Sequence, residues 1–250
     1  MAASRVAFVC ACLLGVAPAA GNPPAPDSED WEPPARLSAY RLFGDAATQQ
    51  PAEGVLPYDV NTPLFSDYSV KYRFVRLPAG TRARYHETDV FEFPVGTVVV
   101  KTFAFLHDLR DPVKGRQLIE TRLLIRRPEG WIGLPYIWND DATEATLETI
   151  GGTRDVRWIH SDGRPRSLNY IIPSKNQCMS CHENQRVLRP IGLKARHLNR
   201  DYVYAGGREN QLVRWQRRGL LEGAPPPDRA PRLPVWNDPQ ADTLDRRARA

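Results

Sequence analysis

The sequence predicts a mainly β protein, an antiparallel sheet domain with a short helical C-terminal segment. Runs rich in β-branched and aromatic residues recur between residues 71 and 172, each bounded by a turn containing Gly or Pro. One of these runs alternates apolar and polar residues with a period of two, as a strand does and a helix does not. Helical spacing emerges only after residue 208. A chain of 250 residues, 42% hydrophobic and 25% charged, has ordinary globular composition and enough length to bury a real core.

The elements follow in chain order. Residues 1–20 have the layout of a secretory signal: Arg5, an apolar run over 6–16, then the small residues Ala17-Pro18-Ala19-Ala20-Gly21. The apolar run is too short to span a bilayer, and no other segment is long and apolar enough to do so. Val9-Cys10-Ala11-Cys12 loosely resembles a lipid-attachment site but leaves too short an apolar stretch before it. The signal implies a periplasmic or secreted protein. Residues 21–56 read as a flexible or irregular flank, with a weakly signalled helix over 37–43. Residues 57–175 read as the β-rich domain. It opens on an ordered loop at 57–67 and continues through strands at 71–77 and 97–105. Residues 117–125 place Ile119, Thr121, Leu123 and Ile125 on one face and Glu120 and Arg122 on the other, predicting a strand with one wet side. Residues 131–138 pair with it after the turn Pro128-Glu129-Gly130, and 158–160 with 167–172 predict a further hairpin. In residues 176–250, Leu212, Trp215 and Gly219 fall at helical spacing, with Gly219 as a stop. A last helix starts at Asp242 or Thr243.

Where the strand pattern ends stands Cys178-Met179-Ser180-Cys181-His182. Cys10 and Cys12 leave with the signal, so Cys178 and Cys181 are the cysteines of the mature chain. Two cysteines separated by two residues and followed directly by histidine match c-type haem attachment. Both thiols add across the porphyrin vinyl groups, and the histidine coordinates the iron. Structural zinc needs further ligands, a thioredoxin-like pair needs a βαβ setting, and a plain disulfide leaves His182 incidental. The spacing therefore points to one covalent haem c, with Cys178, Cys181 and His182 as its binding residues and His182 as the proximal ligand. A backbone carbonyl near Pro190 is the expected acceptor for the other imidazole N–H of His182.

The far side of the iron decides the chemistry. Met1 belongs to the signal and Met179 lies inside the attachment loop, so neither reaches it. His86, His107, His160 and His197, a weaker ligand, or an open position remain. His197 is the candidate distal ligand, because its segment follows the motif. The net charge of +5 is spread over scattered arginines, and no base-stacking or groove-reading motif appears. The expected partners are redox proteins, acidic ones included, and not nucleic acid.

Several runs also resemble a family. Tyr58-Asp59-Val60-Asn61-Thr62-Pro63-Leu64-Phe65-Ser66-Asp67-Tyr68 is similar to a segment of exported bacterial dihaem c-type cytochromes. So are Phe93-Pro94-Val95-Gly96-Thr97-Val98-Val99-Val100-Lys101-Thr102-Phe103, Glu120-Thr121-Arg122-Leu123-Leu124 and Asn176-Gln177-Cys178-Met179-Ser180-Cys181-His182. The resemblance implies electron transfer. Members of that family carry a second Cys-x-x-Cys-His downstream, and this sequence stops before one, so either a truncated chain or a one-haem variant is implied. A weaker likeness, carried by the Phe-Pro-x-Gly-Thr-x-x-x-Lys run and the haem motif, is to the cytochrome P460 group. It implies a haem with an open position for small nitrogen-oxide chemistry.

Overall fold

The computed structural model describes residues 31–177, 182–184 and 187–249. The expected signal at 1–20, the start of the N-terminal flank, and Cys178 and Cys181 lie outside the described residues. The protein is mainly β, with short helices.

Six strands form the central sheet. They are β1 (Leu56–Tyr58), β2 (Val70–Arg76), β3 (Val98–Leu106), β4 (Arg116–Arg127), β5 (Gly130–Trp138) and β6 (Ala145–Leu147). Each is antiparallel to its neighbour, and the spatial order is the chain order. Such a meander needs only turns between neighbours, as the regular Gly- and Pro-containing breaks foretold. Ile119 is an extra residue in β4, since Glu120 pairs with Phe103 and Leu118 with Ala104. This bulge swings Ile119 onto the same side as Phe105.

Both faces of the sheet are covered. One face packs Phe74, Val100, Leu123, Leu134 and Trp138 against the N-terminal flank. That flank is irregular but not loose: Leu37, Tyr40 and Leu42 are buried, and its helix is a single 3-10 turn, Leu37–Tyr40. On the other face, Val75, Val99 and Leu124 meet the C-terminal segment. Further along, Phe105 and Ile119 meet the hairpin of β7 (Gly152–Ile159) and β8 (Pro165–Ile172). The wet side expected for Glu120 and Arg122 is therefore corrected. Glu120 has no exposed surface, because both the hairpin and the C-terminal segment cover that face.

The C-terminal segment carries two short hairpins, β9 (Glu183–Asn184) with β10 (Val187–Leu188) and β11 (Asp201–Tyr204) with β12 (Gly207–Asn210). Its helices are α1 (Ala195–Leu198), α2 (Gln211–Arg217) and α3 (Leu244–Arg249). α2 starts three residues later than its sequence pattern. Residues 207–210 are drawn into β12, and the Asn210 side chain then caps the helix by accepting from Leu212 N at 2.9 Å. Gly219, at φ +68°, ends it as expected, donating to the Gln216 carbonyl at 2.9 Å.

Two buried amide side chains, Asn61 and Gln211, fasten this segment to the 57–67 loop, and a third, Asn199, ties the segment to itself. Asn61 Nδ2 donates to the carbonyls of Arg196 (3.0 Å) and Leu233 (2.9 Å). Asn199 Nδ2 donates to those of Pro227 (2.8 Å) and Ala230 (3.0 Å). Gln211 Nε2 reaches the carbonyls of Asp59 (2.9 Å) and Leu198 (3.0 Å), while its Oε1 accepts from Asp59 N at 2.8 Å. Each bond satisfies loop backbone that burial has removed from water.

Candidate functional site

Two segments lead into the Cys-x-x-Cys-His motif. β8 ends at Ile172, and Gly151, just before β7, presses against the chain that leaves it. A Cβ on Gly151 would stand 2.5 Å from the Ile172 carbonyl oxygen and 2.7 Å from Ser174 N, so only glycine fits there, at φ +84°. Next, Ser174 N donates to Gln177 Oε1 (2.8 Å) and Gln177 N to the Ser174 carbonyl (3.1 Å), turning the chain into the motif.

His182 is held on the far side of the motif by a double clasp. Arg189 N donates to the His182 carbonyl at 2.9 Å, closing the β9–β10 hairpin. The imidazole Nδ1–H donates back to the Arg189 carbonyl at 3.0 Å. That carbonyl belongs to the peptide bond joining Arg189 to Pro190, within one residue of the position expected from sequence. Asp89 ties Arg189 (3.0 Å) and Lys194 (3.1 Å) into the same corner, and Leu188 and Leu193 bury beside it. Burial holds the His182 pKa below the ordinary histidine value, and the bond to Arg189 opposes this in part. The Lys101 and Arg122 charges press it the same way as burial. The ring is thus neutral near pH 7, with its proton on Nδ1 and the Nε2 lone pair available as a metal ligand.

No family model matches this chain, and neither a curated protein nor a solved structure does.

Among the described residues, no hydrogen bond or ring contact joins another histidine to His182. His197, in α1, sets Nδ1 3.0 Å from Thr62 Oγ1, and burial pushes its pKa down to about 4. His160 lies at the β7–β8 turn with its ring 4.9 Å from Tyr68. His86 Nδ1 accepts from Thr88 N (3.2 Å) and Asp89 N (2.9 Å) in an exposed turn. His107 stands beside Gly115.

Sequence reasoning missed a charged patch on the sheet face that acts on His182. Arg73 of β2, Lys101 of β3 and Arg122 of β4 stand directly opposite one another on one rung. Lys71, Phe103 and Glu120 form the next. Glu120 accepts from Arg122 (Nε 2.8 Å) and from the Tyr170 hydroxyl (2.9 Å). Lys101 Nζ sits 4.9 Å from the centre of the Phe103 ring, and the Arg122 guanidinium 4.2 Å from it. The available signal was Lys101, the one charged residue of β3.

Proposed function

We propose that the protein is an exported c-type cytochrome that holds one haem covalently and passes electrons to and from partner proteins. The observation that carries this reading is the clasp on His182. A histidine that ends a Cys-x-x-Cys-His run is neutral, donates Nδ1–H to a backbone carbonyl and leaves Nε2 without a partner among the described residues, as an axial iron ligand requires. Cys178 and Cys181 supply the thioether links, and His182 Nε2 the proximal ligand. The haem, once bound, supplies one-electron chemistry. The chain orients the imidazole, excludes water from its Nδ1 side and sets the charge around it. Export is supported by the signal-like residues 1–20. Among the described residues, no helix is long and apolar enough to cross a membrane.

A strain with haem-attachment machinery provides the test. The purified wild-type protein shows a Soret band that survives denaturation, and Cys178→Ala/Cys181→Ala loses it. Haem retained by the double variant after denaturation contradicts covalent attachment.

A second reading, a haem enzyme with an open distal face, is favoured by the placement of His197 on Thr62 and by the lack of a methionine able to reach around the ring. Carbon monoxide separates the two. A rapid spectral change of the reduced protein means an accessible sixth position, and no change leaves the carrier.

A further inference from the structure

Among the described residues, the sheet face that carries Arg73, Lys101 and Arg122 holds more positive charge than the carboxylates paired with it neutralise. Like charges opposed on neighbouring strands repel, and here three cations share one rung. Asp59 is divided between Arg73 (2.8 Å) and Arg200 (3.2 Å). Glu120 is spent on Arg122 and Tyr170. Lys71 Nζ turns to the Leu64 carbonyl at 2.9 Å. Lys101 is left with the Phe103 ring and, among the described residues, with no carboxylate ion pair. Burial, with Arg73, Arg122 and Lys71 close by, lowers its pKa from 10.5 to about 7.

Placing an ammonium there is costly, since a half-buried charge with no hydrogen bond among the described residues gives up hydration without replacing it. Its neighbours along β3 are valines and phenylalanines, which would fill the space without that cost. A ligand that brings negative charge removes the difficulty. The hairpin that follows His182 packs on β5, where Pro135 stands opposite Arg122, and Lys101 and Arg122 both act on the His182 ring.

We propose that the Arg73–Lys101–Arg122 rung is a seat for carboxylates and that the haem propionates occupy it. The inference rests on the haem reading above. Lys101 and Arg122 donate to the propionate oxygens, Phe103 floors the seat, and Glu120 with Tyr170 keeps the guanidinium of Arg122 aimed. Lys101 is a binding residue for the cofactor's edge, distinct from the residues that attach it or ligate its iron.

The test compares wild-type, Lys101→Met and Lys101→Arg holoproteins. Covalent mass gain reports the haem reading alone. Resonance Raman of the propionate bending modes and the reduction potential report the seat. In Lys101→Met the haem stays attached, the propionate bands shift and the potential falls. The potential also becomes pH-dependent near neutrality, as an unpaired propionate keeps its proton longer. Lys101→Arg keeps the wild-type bands. Should Lys101→Met not fold, Lys71→Met shows a smaller shift of the same sign. Full attachment with unchanged bands and potential in Lys101→Met, or in Lys71→Met where that variant stands in, overturns the seat and leaves the haem reading standing. Absence of covalent haem in the wild type overturns both. Added acetate that perturbs the wild-type Soret band, but not that of Lys101→Met, makes a free anion the occupant and overturns the propionate assignment.

Discussion

Two buried polar regions lie on the same side of the molecule, and they are built on opposite plans. The amides of Asn61, Asn199 and Gln211 are neutral, and each spends its donors on backbone carbonyls that burial would otherwise orphan. The rung of Arg73, Lys101 and Arg122 is charged and outnumbers the carboxylates that serve it. The first region fastens loops. The second costs stability in the bare chain and repays it only when an anion arrives. Buried polarity therefore divides by whether its partners within the fold suffice, and the region where they fall short among the described residues is the one whose charges act on His182.

That contrast breaks first at Gln211. Gln211→Met fills the space but orphans the Asp59 carbonyl and Asp59 N, while the Leu198 carbonyl keeps Arg200 N at 2.8 Å. At about 1–3 kcal/mol for each buried unpaired group, the loss is about 2–6 kcal/mol in urea unfolding. A loss below about 1 kcal/mol would mean that the amides are not fasteners.

Lys101→Met has the opposite sign in protein without haem. Below pH 7, removing the ammonium stabilises the chain by about 1–4 kcal/mol, since an apolar side chain replaces a poorly compensated charge. The pH dependence follows from the lowered pKa. The folded chain releases the Lys101 proton near pH 7 while the unfolded chain keeps it to about 10.5. The ammonium's cost is therefore full below pH 7 and fades as pH rises from 7 towards 10.5. The advantage of Lys101→Met over wild type shrinks across that window, as paired urea titrations at pH 6 and pH 9.5 measure. With haem attached, the dependence disappears, because the propionates pair the ammonium.

The smallest effect is at a wet ion pair of neither kind. Arg154 meets Asp140 at 3.1 Å, but the aspartate is 94% exposed. Asp140→Asn moves stability by less than about 0.5 kcal/mol, and added salt removes the difference.

Much of this architecture is legible in the sequence, for physical reasons. Period-two alternation and glycine turns are local, so β2 to β5 and the β7–β8 hairpin read directly from residues 71–172. Gly219 marks its helix end because only the left-handed conformation suits that position. The motif around His182 is equally local, and its carbonyl partner lies one residue from the expected Pro190. Non-local features stayed hidden. Glu120 reads as solvent-facing, because nothing in residues 117–125 says that a hairpin fifty residues on covers it. The rung of Arg73, Lys101 and Arg122 exists only through the pairing register of three strands. The 31–56 flank reads as irregular from its prolines, yet Leu37, Tyr40 and Leu42 find a sheet face that no local pattern announces.

The central claim is that a haem is attached at Cys178 and Cys181 beneath His182. Intact-mass and peptide-mass spectrometry of protein made with haem-attachment machinery tests it most directly. The account predicts the mass of one haem, carried on the peptide that spans residues 178–182 and absent from Cys178→Ala/Cys181→Ala. An unmodified peptide, or one whose two cysteines are joined as a disulfide, contradicts it.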